Sequence, residues 1–155
     1  MKVLVSACLL GENCKYNGGN NRDEGILKCI EGHEVISVCP EVLGGLPVPR
    51  IPCEIKDGIV INKEGEVKDK EFRAGAAKAF EIAKAKNIDC AILQARSPNC
   101  GCREIYDGTF SKNKIKGHGI FAGLLMDAGF TVFDSEEIDE STVLDDIIVS
   151  TKQEG

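Results

Sequence analysis

Cysteine thiols are the groups best suited to chemistry in this chain, and three of them follow predicted strands. Cys8 and Cys39 come directly after two short apolar runs, and Cys100 follows a third run by a short loop. Because the carboxyl ends of parallel strands lie at one edge of a sheet, the predicted topology brings these three thiols together. The sequence therefore predicts a metal centre at that edge.

The spacing of the cysteines bears on which metal this centre would hold. Three thiolates can bind zinc with a fourth ligand from Cys14, Cys102 or water, or they can hold an iron–sulfur cluster. The chain has no paired Cys-x-x-Cys knuckle, and the two thiols of "CGC" at residues 100–102 are too close together to chelate one metal easily. Scattered thiolates fit a cluster better, and three ligands would leave one iron open to a soft sulfur donor.

Groups suited to proton transfer and anion binding lie close to these cysteines in the sequence. Glu41 stands two residues after Cys39, and Ser97 stands three residues before Cys100, so both are candidates for acid–base catalysis. Arg50 is a candidate for pairing with an anionic part of the substrate. The ordinary alternatives are a surface carboxylate, a turn serine before a proline and a surface arginine.

A second candidate anion site is the stretch "GHGIFA", which starts at Gly117 and leads into a predicted helix. Exposed N–H groups at a helix start favour an anion such as phosphate, so Gly117, His118 and Gly119 are predicted to bind substrate. The stretch follows a basic loop and not a strand, and therefore fails the context of a dinucleotide-binding motif. The lysines of that loop, residues 112–116, are typical of a solvated surface.

The elements that must position these residues alternate between apolar strands and helices. Nearly continuous apolar runs predict strands covered on both faces at residues 3–7, 35–38, 90–95 and 131–134. Helical patterns predict helices at residues 23–31, 69–86, 119–129 and 139–149. The segment 54–67 predicts a hairpin with turn residues in "NKEG". The order predicts an α/β fold, with a mainly parallel Rossmann-like sheet, helices on both faces and a β-hairpin.

Length and composition limit the possible functions. The chain has 155 residues and a formal net charge of -6, which predicts one domain over residues 1–155 that binds neither DNA nor a membrane. The apolar run at the N-terminus lacks the cleavage site of a signal peptide. We therefore expect a cytoplasmic protein, in which eight cysteines favour metal binding or catalysis over disulfides. Cys29, Cys53 and Cys90 are expected to be buried hydrophobic residues.

Five motifs occur in an order that resembles the thiouracil desulfidase family. They are "VSACLLGENCKYNGG", "CPEVLGGLPVPRIPCEI", "FRAGAAKAF", "ARSPNCGCREIYDGTF" and "GHGIFAGLLMDAGFTVF". Together they span essentially the whole chain. The resemblance implies a 4Fe-4S cluster held by three cysteines, and the removal of sulfur from 4-thiouracil-type compounds to give uracil and hydrogen sulfide.

The resemblance also assigns roles to the residues that match the family motifs. It implies that Cys8, Cys39 and Cys100 hold the cluster with one iron open, and that Glu41 and Ser97 are the acid–base and assisting polar residues. The partner implied is a small thiolated pyrimidine base or nucleotide. A single acidic domain favours 4-thiouridine monophosphate over transfer RNA.

Two interpretations of other kinds stay open on the sequence alone. The first is a non-enzymatic module in which zinc or a cluster only stabilises the fold, with Cys14 or Cys102 as a fourth protein ligand. It predicts a closed metal site and no sulfide release. The second is redox sensing through Cys100 and Cys102, although a disulfide between cysteines so close together is geometrically awkward.

Overall fold

The computed structural model describes residues 1–147 and has a parallel sheet at its centre. The strands are β1 (Lys2–Ser6), β2 (Glu34–Val38), β3 (Cys53–Lys56), β4 (Ile59–Asn62), β5 (Cys90–Leu93), β6 (Glu104–Tyr106), β7 (Lys114–Lys116) and β8 (Val132–Asp134). The α-helices are α1 (Glu24–Cys29), α2 (Pro40–Leu43), α3 (Asp69–Lys86) and α4 (Ile120–Asp127). Strands β2, β1, β5 and β8 pair in that order as the parallel sheet, and β3–β4 and β6–β7 form antiparallel hairpins. The predicted α/β class is confirmed.

Apolar side chains on both faces of the parallel sheet explain why helices cover it on two sides. Successive side chains of a strand point to opposite faces. Leu4 of β1 packs on one face with the small residues of α3 and with Phe121 of α4. Its neighbours Val3 and Val5 pack on the other face with Ile26 of α1. The apolar run of β1 thus contributes to two cores, as a strand buried on both faces should.

Strand β2 departs from the prediction because it lies at the edge of the sheet. Val35 and Ser37 are exposed, and Val38 is the one buried residue of the strand. An apolar run predicts burial, but a strand with a neighbour on one side only keeps an open edge. The burial that remains is at the carboxyl end of β2, next to Cys39.

The predicted hairpin over residues 54–67 forms, but its tight turn lies elsewhere. Strand β3 turns into β4 at Asp57 and Gly58, whose φ angles are 50° and 79°. Two consecutive residues with positive φ suit a type I′ turn, which matches the twist of the flanking strands. At the "NKEG" segment the chain reverses direction a second time, and Val67 then pairs with Ile61 of β4. No apolar run indicates the other hairpin, β6–β7, because its strands are three residues long and β7 is exposed throughout.

Helices α1, α3 and α4 form within the predicted segments. Helix α3 buries Phe72 and three alanines on one stripe, and Gly129 ends the α4 segment with a φ of 87°. Of the last predicted helix, residues 144–147 are helical, residues 139–143 are not, and residues 148 and 149 lie outside the described range. Among residues 1–147, no helix is long and apolar enough to cross a membrane.

Helix α2, which carries Glu41, packs against α3 with almost no space between the two backbones. A Cβ on Gly75 of α3 would lie 1.8 Å from the carbonyl oxygen of Pro40. A Cβ on Gly44 would lie 2.0 Å from the carbonyl oxygen of Glu71. Glycine is therefore required on both sides of this contact, which fixes α2 and its carboxylate against the long helix.

Replacing Gly75 with alanine is expected to destabilise the protein, although alanine is the better helix former. An ordinary helix position would gain about 1 kcal/mol from this change. Forcing a side chain into a closed contact instead costs about 1–3 kcal/mol, occasionally more. Urea denaturation should therefore give a lower free energy of unfolding for Gly75→Ala than for the parent.

The matched control for this test is Ala74→Gly, at an exposed position of the same helix. It should lose only the propensity difference of about 1 kcal/mol. A Gly75→Ala protein as stable as the parent would contradict the close contact between α2 and α3.

Candidate metal centre and active site

A cleft of about 540 Å³ opens at the carboxyl edge of the parallel sheet. The ends of β1, β2 and β5 contribute Ser6, Val38 and Gln94 to its wall. The chain leaves β1 for β2 on one side and returns to β5 on the other, so β1 and β5 flank the point where the strand order reverses. Open α/β sheets bind their ligands at such a point.

The structure brings Cys8, Cys39 and Cys100 to this cleft from three separate strand ends. Cys8 lies in the 3-10 turn that follows β1, and Cys39 follows β2 directly as the N-cap of α2. Cys100 lies in the loop after β5. The topology of the sheet therefore accounts for the meeting of three thiols that are remote in sequence.

The two cysteines considered as extra ligands differ in position. Cys14 lines the cleft beside Cys39. Its side chain lowers the pKa of the Cys39 thiol, and the positive charge of Arg50 acts in the same direction. Cys102 is buried in the apolar core with α3 and α4, and burial raises the pKa of its thiol to about 11. Cys14 is thus the additional thiol at the cleft.

Polar donors lie beside two of the three thiols and suit negatively charged sulfur. The side-chain amide of Asn21 donates to Sγ of Cys8 over 3.5 Å, and the hydroxyl of Ser6 lies beside the thiol of Cys100. Burial nevertheless raises the pKa of both thiols above the usual range. Metal binding would replace those protons, because the ligand is the thiolate.

The donor set fits an iron–sulfur cluster by its chemistry. Soft thiolates from three elements, with hydrogen-bond donors beside their sulfur atoms, are the ligands and surroundings that such clusters use. In the part of the chain that the structure describes, no group of three or more His, Cys, Asp or Glu side chains is arranged to hold a single metal ion. A four-iron cluster is larger than one ion, so its thiolates need to be spread more widely.

Glu41 and Ser97 meet beside the cysteines. The hydroxyl of Ser97 donates to Oε1 of Glu41 over 3.4 Å, and the thiol of Cys39 donates to Oε2 over 3.7 Å. Ser97 Oγ also accepts the N–H groups of Asn99 and Cys100 over 3.2 and 3.1 Å. Glu41 is 8% exposed, so its carboxylate is a sheltered proton acceptor with both oxygens oriented.

Arg50 lines the cleft, but its guanidinium group is already engaged with backbone. It donates to the carbonyl oxygens of Cys14 and Pro47 over 3.0 and 3.3 Å. Its own N–H donates to the carbonyl oxygen of Tyr16 over 2.6 Å. Arg50 therefore joins the proline-rich segment to the Cys14 loop and adds a fixed positive charge to the cleft wall.

The structure does not bring Gly117, His118 and Gly119 to the cleft, in contrast to the prediction. The N–H groups of the two glycines donate to backbone carbonyls in residues 101–103, over 3.3 and 2.7 Å, and are not available to an anion. A Cβ on Gly119 would lie 2.5 Å from the backbone of Asn99. The glycine lets α4 start directly against the Cys100 loop.

Several residues of the cleft wall have no role assigned from the sequence, although two of them lie within the family motifs. They are Asn21, Glu54, Lys63, Phe110 and Lys112. The last four lie on the two antiparallel hairpins or in their loops, and only a charged residue inside the apolar β3 segment, Glu54, gives a local indication. The hairpins reach the cleft through tertiary contacts that no periodic pattern reveals.

Comparison with known proteins places this chain in a family. The family model for 2-thiouracil desulfurase matches residues 3–137. The chain is 38% identical over 148 residues to the uncharacterized protein YbbK of Bacillus subtilis (strain 168), across 89% of this chain and 98% of that protein. It also matches a solved structure of the 4Fe-4S-dependent thiouracil desulfidase TudS, with a TM-score of 0.85 and 34% identity over 98% of both chains. The predicted resemblance is confirmed, and the chain belongs to the 2-thiouracil desulfurase family.

Proposed function

We propose that this protein is a cytoplasmic, 4Fe-4S-dependent desulfidase that hydrolyses the C–S bond of thiolated pyrimidines. The observation that carries the proposal is the meeting of Cys8, Cys39 and Cys100 with Glu41 and Ser97 in one cleft. Family membership and the 4Fe-4S-dependent neighbour TudS support the cofactor and the reaction class. The reaction converts a thiocarbonyl and water into a carbonyl and hydrogen sulfide, with no net oxidation or reduction.

The three thiolates are the proposed cluster ligands, and they leave one iron without a protein ligand. When bound, the cluster supplies at that iron a Lewis acid for the thiocarbonyl sulfur of the substrate. Asn21 donates to the sulfur atom of Cys8, and the bond from the Cys100 N–H to Ser97 Oγ holds the loop that carries Cys100.

Proton transfer is the proposed task of Glu41. Its carboxylate takes a proton from the water that attacks the ring carbon bearing sulfur, so the water oxygen becomes the carbonyl oxygen of the product. The protons of that water leave with sulfur as hydrogen sulfide or hydrosulfide. Ser97 holds the carboxylate through its bond to Oε1 and helps to position the substrate.

Within this class of substrates we favour a mononucleotide such as 4-thiouridine monophosphate. Five basic side chains but only two carboxylates line the cleft, in a chain whose net charge is -6. The basic residues are Lys15, Arg50, Lys63, Arg96 and Lys112. Positive charge concentrated at a cleft attracts a small anion, whereas the backbone of transfer RNA needs basic groups over a wider surface.

Alanine in place of Cys8, Cys39 or Cys100 is expected to abolish both the cluster and sulfide release, since each variant removes one of three ligands. Iron, acid-labile sulfide and zinc are measured in protein purified without oxygen. The parent should hold about four irons and four sulfides per chain, with almost no zinc. Cys14→Ala and Cys102→Ala are the matched controls and should keep the iron.

Two outcomes would favour the structural-module alternative over the enzyme. One is loss of the cluster in Cys14→Ala, because a fourth thiolate would close the site. The other is stoichiometric zinc without sulfide in the parent that persists after anaerobic reconstitution.

Glu41→Gln is expected to keep the cluster but lose activity, because glutamine preserves the shape of the side chain and cannot take a proton. General acid–base catalysis contributes about 10²–10⁴-fold to a rate, so kcat should fall by a factor in that range. Ser97→Ala should lower kcat less, since the carboxylate remains. Glu81→Gln, on the exposed side of α3, is the control. A Glu41→Gln enzyme that keeps its iron and the parent kcat would contradict the assigned role.

The mononucleotide is expected to be a better substrate than thiolated transfer RNA. A cleft of about 540 Å³ has the size of a small-molecule site, and the acidic chain repels a long phosphate backbone. Sulfide release is measured side by side from 4-thiouridine monophosphate, free 4-thiouracil and transfer RNA that contains 4-thiouridine. A higher kcat/KM for the transfer RNA would show that the small-substrate assignment is wrong.

A further inference from the structure

We infer that Lys63 and Lys112 bind the anionic group of the substrate, and that Glu54 positions the loop that carries Lys112. The inference rests on the proposed function and names the residues that would distinguish a phosphorylated nucleoside from a bare one. The β3–β4 and β6–β7 hairpins and their loops contribute these three residues to the wall of the cleft.

The two arginines at the cleft are already committed to protein groups. Arg96 forms ion pairs with Glu136 and Glu104, and Arg50 donates to two backbone carbonyls. A cation held in this way keeps its position but has fewer donors left for a ligand. Neither arginine is the first choice for a substrate anion.

The lysines at the cleft are freer, and two of them have no partner at all among residues 1–147. Lys15 lies over the ring of Tyr16, with Nζ 5.7 Å from the ring centroid. Lys63 and Lys112 make no ion pair and no side-chain hydrogen bond within the described residues, and both are exposed at the rim. Their charges are available to an incoming anion, which would replace water and no protein partner.

The backbone holds Lys63 in a defined place. Its N–H donates to the carbonyl oxygen of Pro52 over 3.0 Å. The preceding Asn62 is 2% exposed, and its Oδ1 accepts the N–H groups of Glu64 and Glu66 over 3.0 and 2.9 Å. A buried side chain therefore fixes the turn that presents Lys63.

The loop between β6 and β7 presents Lys112 in an unusual backbone conformation. Phe110 and Lys112 line the cleft with φ angles of 57° and 66°, in the region that favours glycine. Residues with side chains are unfavourable there, and such conformations persist where the surrounding structure holds them. Bonds of Asp107 with Thr109 and Asn113 hold the loop from within, and a contact from outside adds to them.

Glu54 of β3 supplies that contact. It is 9% exposed, and its Oε1 accepts the N–H groups of Gly108 and Phe110 over 3.0 and 3.1 Å. Hydrogen bonds to a charged acceptor are stronger than neutral ones. Gly108 also packs on β3 so closely that a Cβ would lie 2.7 Å from Cβ of Lys56. One carboxylate thus joins the loop of one hairpin to the strand of the other.

The first test compares two substrates that differ only in the phosphate. For Lys63→Ala and Lys112→Ala, KM for 4-thiouridine monophosphate should rise about tenfold, and KM for 4-thiouridine by less than about twofold. Lys116→Ala is the matched control, because this lysine is exposed on β7 of the same hairpin and does not line the cleft. Equal changes for both substrates, or no change for either, would overturn the inference.

The second test separates positioning by Glu54 from a purely structural role. Glu54→Ala should reproduce the selective loss seen in Lys112→Ala, and adding Lys112→Ala to it should have little further effect. Glu54→Gln keeps an acceptor oxygen for the two N–H groups and should restore part of the selectivity. A structural role would lower Tm or iron content without changing the ratio of the two KM values, and that result would refute the positioning role.

A binding measurement tests the same lysines without turnover. Calorimetry on the cluster-loaded protein should show that uridine monophosphate binds more tightly than uridine, and that Lys63→Ala and Lys112→Ala lose this preference. Equal binding of both compounds by the parent would overturn the inference even where sulfide is released. Preferential binding by the parent without sulfide release would support the lysine assignment and refute the proposed function.

Discussion

Parallel pairing of β1 with β2 on one side and β5 on the other is the constraint on which the site depends. In this register Ser6 pairs with Val38 and Val5 pairs with Ile92, so the three strands end at one edge. A strand rises about 3.3 Å per residue, and neighbouring strands lie about 4.8 Å apart. A slip of two residues would therefore separate the thiols by more than the spacing of the strands. The register of the sheet therefore determines whether the three thiols can meet.

The same edge determines how a carboxylate is kept in a sheltered cleft. A buried charge is unfavourable unless it is hydrogen-bonded. Ser97, whose hydroxyl also holds the Cys100 loop, is the donor to Glu41 that remains when Cys39 is a thiolate. Cys39 begins the helix that carries the carboxylate, so the residues that arrange the thiols also place the acid–base group.

Local patterns in the sequence predict the strand ends but not how the hairpins and loops are assembled on them. The runs of β1 and β5 are apolar because both faces are covered, and this places Cys8 and Cys100. The exposure of β2 depends on how many strands pair with it. The residues of β2 alone do not indicate that number. The amides of Gly117 and Gly119 look available in sequence, yet residues 101–103 occupy them in the fold. Tertiary hydrogen bonds decide which polar groups a ligand can reach.

Within the basic run at residues 112–116, one lysine stabilises the hairpin and another is left to bind a ligand. Lys114 pairs with Glu104 at 3.8 Å, so part of its charge is neutralised by the hairpin. Lys112 has no such partner in the described chain, and its backbone is held from outside by a carboxylate that never contacts its ammonium group. A direct Lys112–Glu54 pair would order the lysine and also remove the charge that an anion would bind. Because the backbone of Lys112 is held and its ammonium group is unpaired in the described chain, the residue has a defined place and a charge that can still bind an anion. Recognition of a small anion requires both.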